Sequence, residues 1–191
     1  MGAMMMIVPA VLLVAAAYGV MLYNGLVQLK HNVSRAWANI DVLLKQRHDE
    51  LPKLVETCKQ YMQFEQETLT RVMEARARVA TARESGSVGS LGQAEGGLRA
   101  TLGQLFAVAE AYPDLKTDQT FQQLQTRISA LENAIADRRE FYNESVNVNN
   151  VRIEQFPASL LAGFFGFEPA ELLEFAAAET ADVDLGTLFR S

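Results

Sequence analysis

Cysteine is nearly missing from this chain. Cys58 is the only one, which excludes an intrachain disulfide framework and suits a reducing compartment. Histidine is almost as scarce: His31 and His48 lie about 25 Å apart along a helix, too far to share one metal ion. No period-two run of β-branched residues occurs, so nothing competes with helix as the regular structure. Positive charge is also short. The net charge of −6 argues against a nucleic-acid partner, which needs a basic face. The deficit is local: residues 1–152 carry 16 Lys/Arg against 16 Asp/Glu, whereas residues 153–191 carry Arg190 against seven acids.

Charge of either sign is absent from the side chains of Met1 to Leu29, and Met4 to Tyr23 is almost wholly apolar. Twenty such residues at 1.5 Å rise span about 30 Å, the thickness of a bilayer's hydrocarbon. A cleaved signal peptide competes, because Ala15-Ala16-Ala17 resembles a small-residue cleavage site. No Lys or Arg precedes the run to make the basic region such a peptide needs, so residues 1–29 read as a retained anchor in contact with membrane lipid. Lys30, His31 and Arg35 follow the span. The positive-inside rule then places the body in the cytoplasm and the short N-terminus outside, as a single-pass protein.

Beyond the anchor the spacing predicts long helices. Steps of three and four from Val33 pick out Trp37, Ile40, Leu44, Arg47, Leu51, Leu54, Cys58, Tyr61, Glu65, Thr68, Val72, Ala75 and Val79, an apolar stripe suited to a bundle or coiled coil. The pattern predicts one helix from Lys30 to Arg83, about 80 Å long, kinked at Pro52. Residues 84–97, dense in glycine and serine, read as a flexible loop. A shorter helix follows from about Leu98 to Ala111, then a turn at Tyr112 to Lys116. A second long helix carries Phe121, Leu124, Ile128, Leu131, Ile135, Arg138 and Tyr142 and reaches Phe156, where Pro157 ends or kinks it. The tail, residues 157–191, combines apolar residues including Leu160, Phe164, Phe165 and Phe167 with a weak helix from Ala170 to Ala178. It either packs back on the bundle or a neighbouring subunit, or dips into the same membrane. The domain order is therefore anchor (1–29), helical domain (30–156) and Phe-rich, acidic tail.

The one stretch that looks like chemistry is Arg47-His48-Asp49-Glu50. On a helix these side chains fan out by about 100° each and cannot converge on one atom. The positions three and four residues from His48 hold Leu44, Lys45, Leu51 and Pro52, none a metal ligand, so the cluster reads as a solvated face with a surface Glu50–Lys53 pair. Cys58 sits on the inward stripe as a small hydrophobe. No nucleophile–base pair, phosphate loop or inward Glu-x-x-His motif exists, so no catalytic, cofactor or metal site is expected. The polar stripe positions Arg47, Glu65, Thr68 and Arg138 matter instead. Buried charge must be paired, and Arg47 or Arg138 is expected to meet a carboxylate such as Glu65.

Several motifs together carry a resemblance: "YNGLVQLKHNVSRAWANIDVLLKQRHDELPKLVETCKQY" (Tyr23 to Tyr61), "FEQETLTRVMEARA", "AYPDLK", "ENAIADRREFYNESV" and "FPASLLAGFFGF". In this order and spacing the chain resembles the LemA family of bacterial membrane proteins over about residues 23–167. Asn149-Asn150 departs from the Tyr-Asn usual in that family, and the tail beyond Phe167 is longer and more acidic. The resemblance implies an inner-membrane anchor, a cytoplasmic antiparallel helical bundle and no established catalysis. Trp37, Asp41, Arg47, Pro52, Glu56 and Tyr61 then read as structural, beside Glu65, Arg138, Tyr142, Phe156, Pro157, Phe164, Phe165 and Phe167 as packing or interaction residues. It also implies a membrane-organising or quality-control role. The expected function is a self-associating scaffold (a homo-oligomer); the alternative is an adaptor for a membrane client such as an HtpX-type protease.

Overall fold

A computed structural model describes residues 2–175, with side chains from Ile7 onward. The described residues form six helices and no strand: α1 (Gly2–Tyr61), α2 (Gln66–Glu84), α3 (Val88–Ala109), α4 (Pro113–Thr117), α5 (Gln119–Glu154) and α6 (Ala158–Phe165). The all-α class is as the periodicity predicts. Two compact units divide the chain. The first takes residues up to Leu43 together with Ala134–Leu172; the second takes Leu44–Asn133 and the stretch beginning at Leu173.

In the second unit the later turns of α1, together with α2, α3 and the early turns of α5, bury leucine-rich stripes against one another. Leu51, Leu54, Cys58 and Met62 meet this core beside Leu69, Val72, Ala75, Leu98, Leu102, Phe121 and Ile128. The predicted continuous helix from Lys30 to Arg83 is corrected here. It ends at Tyr61, the chain reverses through residues 62–65, and α2 runs back along α1, bringing Arg76 to His48. The Met62 N–H donates to Cys58 O at 2.8 Å and the Glu65 N–H to Met62 O at 3.1 Å, closing the turn without glycine or proline. The stripe contained the warning. Its polar members Glu65 and Thr68 lie at this reversal, half-buried, where the two arms part.

Helix α1 continues through Pro52. Proline has no N–H, so the carbonyl four residues earlier, that of His48, loses its helical donor. The Arg76 guanidinium replaces it, with Nε donating to His48 O at 3.0 Å. Arg76→Leu should therefore destabilise this unit by about 1–2 kcal/mol, the cost of an unmade buried hydrogen bond. In a Pro52→Ala background the same change should cost less, because the alanine N–H would again supply the helical donor. Urea denaturation of the four proteins in this cycle measures the difference. Equal Arg76 effects in both backgrounds would rule the replacement out.

The expected loop over residues 84–97 is also corrected. Only residues 85–87 form a turn, with Gly86 in the left-handed region at φ +70°. Helix α3 starts at Val88, capped by the Ser87 side chain accepting from the Ser90 N–H at 3.2 Å. Gly92 lies inside α3 for a packing reason: a Cβ there would stand 2.0 Å from Glu174 O. At Gly92, glycine serves close approach of two backbones rather than flexibility.

The first unit pairs the early turns of α1 with the later turns of α5 and with α6. Trp37 and Tyr142 pack with ring centroids 5.3 Å apart and planes tilted by 58°. Leu22, Leu26, Ile153, Ala158 and Ala162 form a buried cluster, with Leu161 and Phe167 packed against it. Helix α5 stops at Glu154, short of Pro157, whose ring disfavours helical backbone at Phe156. Arg138, placed on the stripe by the three-residue step from Ile135, is exposed; the buried seam passes on to Tyr142, Val146, Asn149 and Ile153. The expected weak helix from Ala170 is absent over residues 170–175, and residues 176–178 lie outside the described residues. Side chains take its backbone groups instead. Asn150 receives the Ala170 N–H and donates to Ala170 O, both at 2.9 Å, and the Tyr142 hydroxyl donates to Glu171 O at 2.9 Å.

Candidate functional site

Three places hold chemistry that packing alone does not explain. The deepest is in the second unit, where Arg47 on α1 is 1% exposed. It ion-pairs through Nη2 with Glu95 of α3, itself fully buried, and through Nη1 with Glu132 of α5. One guanidinium thus ties three helices together. Arg47 Nε and Glu95 Oε1 have no hydrogen-bond partner among the described residues. Arg47 meets carboxylates as expected, but Glu65, the example given, instead accepts from the Tyr112 hydroxyl at 3.4 Å, near the turn that places it away from Arg47. Sequence reading missed Glu95 because it fell in the presumed loop. Once α3 starts at Val88, the run Leu91, Glu95, Leu98, Leu102 shows it facing the core.

The Arg47-to-Glu50 stretch is only partly a solvated face. Asp49 is exposed and His48 half-buried, but Glu50 is buried as well as Arg47. Glu50 pairs with Lys53 at 3.2 Å and also with Arg127 of α5 at 3.2 Å, so it belongs to the inter-helix ion pairs and not to a surface pair alone. Burial first, and then the Arg76 charge, hold His48 below its ordinary pKa of 6.5, favouring the neutral imidazole. Burial pushes the Cys58 thiol up to about 12, so it stays protonated and unreactive at neutral pH. Among the described residues no three of His, Cys, Asp and Glu are grouped to hold a metal ion.

The second place is the α1–α2 turn. Phe64 is 95% exposed at its tip. Beside it lies an open groove of about 640 Å³ lined by Lys59, Met62, Phe64, Leu69, Thr70 and Met73. Nearby, Tyr61 is half-buried and its hydroxyl donates to Asp118 Oδ2 at 3.0 Å, while Asp118 Oδ1 accepts the Phe121 N–H at 2.8 Å and so starts α5. The backbone bond from Phe121, and then the Tyr61 hydroxyl, hold the Asp118 carboxyl below its usual value. The reverse side of that bond raises Tyr61.

The third place is in the first unit. The apolar start of α1 exposes Ile7, Val8, Val11, Leu12, Leu13, Val14 and Met21, and this helix is long and apolar enough to cross a membrane. Just past that segment, Tyr23 meets Phe165 at 4.8 Å and Phe167 at 5.9 Å between centroids. Phe156 and Phe164 stand free of the core, at 80% and 82% exposure, and Pro157 is half-buried at the N-terminus of α6. Of the other sequence candidates, Asp41 and Pro52 are half-buried. Glu56 is exposed and paired with Lys59 at 3.5 Å.

Known proteins resemble this chain in sequence. Magnetosome protein MamQ 2 of Paramagnetospirillum magneticum is 26% identical over 193 residues, covering 89% of this chain and 71% of the relative. Protein LemA of Metamycoplasma hominis is 26% identical over 166 residues, covering 86% of this chain and 74% of the relative. The model of the LemA family matches residues 36–185, a span that takes in the Trp37–Tyr142 ring contact of one unit and the Arg47–Glu95–Glu132 cluster of the other, and the chain belongs to the LemA family.

Proposed function

We propose that this protein is a membrane-anchored helical scaffold that self-associates and carries out no catalysis of its own. One observation carries the reading: α1 presents an apolar segment of membrane-spanning length with its side chains exposed, while the buried charges of the helical domain go into ties between helices. Arg47 faces two carboxylates in the core, an arrangement suited to setting helix register. Lys30 and Arg35, after the span, favour a cytoplasmic helical domain on the inner face of a bacterial inner membrane. Self-association draws support from a wholly apolar groove on the span, lined by Ile7, Ala10, Val11, Val14, Ala15 and Tyr18, where small residues permit a second helix to approach. The curated relatives include magnetosome proteins, which fits an organising role.

The mass of the full-length protein extracted in mild detergent tests this reading. A single large, discrete particle without any partner is the expected result. A monomer overturns self-association and favours the second reading, an adaptor that holds a membrane client such as an HtpX-type protease. For that reading the exposed Phe64 and its methionine-bearing groove offer an adaptable apolar contact.

A further inference from the structure

We infer that the apolar face formed by Phe156, Leu160 and Phe164 rests in the lipid–water boundary of the bilayer that α1 crosses, giving the protein a second membrane contact. The inference rests on the reading of α1 as a membrane span. These three residues follow one another at intervals of four, which places Leu160 and Phe164 on one line of α6 with Phe156 just before it. They are 80%, 66% and 82% exposed. The opposite face of α6, Ala158 and Ala162, is buried against Leu22 and Leu26 of α1. Helix α6 is therefore held at the level where the apolar span gives way to polar sequence.

Its chemistry suits that level. From Gln155 to Phe167 there is no charged residue, while Glu154 and Glu168, immediately outside, are exposed. The rings of Tyr23, Phe164, Phe165 and Phe167 make an aromatic group at this height, with Phe164 and Phe165 edge to face at 5.0 Å. An interfacial helix buries a face of Phe and Leu just below the headgroups, and Tyr23, with an apolar ring and a polar hydroxyl, suits the boundary itself. The occupant is lipid because Phe164 reaches, through Phe165, the ring of Tyr23 at the end of the exposed apolar stretch of α1 in the same unit. The flanking acids further specify zwitterionic headgroups, since anionic ones would repel them.

Full-length protein reconstituted in phosphatidylcholine vesicles tests this. The native Trp37 is the only tryptophan, so in a Trp37→Phe background either Phe164→Trp or Leu12→Trp supplies a single fluorescent probe. Lipids brominated near the headgroup should reduce the emission of the Phe164→Trp protein by about half, and lipids brominated near the chain end should quench the Leu12→Trp protein in the same way. Quenching of the Leu12→Trp protein alone overturns the inference and leaves the anchor standing. In that case, shielding of the Phe164→Trp probe from aqueous acrylamide, lost on dilution of the protein in the bilayer, assigns the face to a second copy. No quenching of the Leu12→Trp protein overturns the anchor reading, and this inference with it.

Discussion

Replacing Arg47 with methionine is expected to destabilise the second unit by about 3–5 kcal/mol. The loss does not measure an attraction. It measures two carboxylates, Glu95 fully buried and Glu132 mostly so, left in a core with no counter-charge. The Arg47 side chain is also among the largest fully buried ones, so a short replacement would add a cavity cost; methionine keeps most of the volume. The triple replacement Arg47→Met, Glu95→Leu, Glu132→Leu should recover most of the loss, because no buried charge then remains to be desolvated. Guanidinium denaturation followed by circular dichroism measures both. A single variant within about 1 kcal/mol of the parent would show that water reaches the carboxylates and that the cluster does not tie the helices.

Gly92→Ala should destabilise the protein even though it improves α3. Alanine in a helix interior is better than glycine by about 1 kcal/mol. Against this, the new Cβ would stand 2.0 Å from Glu174 O, a distance no side chain tolerates, so the segment after Leu172 must leave α3. That segment carries Leu173, with no exposure, and Phe175, at 9%. Exposing two such side chains costs roughly 1.5–3 kcal/mol each, which outweighs the helix gain and leaves a net loss of about 2–5 kcal/mol. Amide hydrogen exchange should show protection lost at Leu173 to Phe175 and kept in the middle of α3. If the variant is more stable and its tail still protected, the tail is not seated on Gly92.

The errors of sequence reading have a common form. Each treated a local signal as if one chain segment decided its own neighbours. The stripe through Tyr61, Glu65, Thr68 and Val72 has the same period whether the helix continues or doubles back, and no proline or glycine marks residues 62–65. Only the stripe's polar members show the reversal. Glu95 looked like part of a linker because glycine lowers helix propensity, yet Gly92 is required by a chain segment about 80 residues later. Arg138 fell on the stripe only because a three-residue step from Ile135 fits a period of 3.6 as well as a four-residue step does; in the fold it is exposed. The expected Arg47–carboxylate pairing was right in kind and wrong in partner, for the same reason.

Composition and period alone determined the apolar segment of α1, the all-α class and most of the buried stripes. These are one-dimensional properties: charge, hydrophobicity and spacing act on a segment wherever it later sits. The tertiary structure alone decided that α1 folds back at Met62, that Arg47 meets Glu95 and Glu132, that Arg76 takes the carbonyl Pro52 leaves free, and that α6 packs beside Leu22 with its phenylalanines outward. Each of those joins groups distant in sequence, and such pairings are selected by the burial and hydrogen bonding of the whole fold rather than by any one segment.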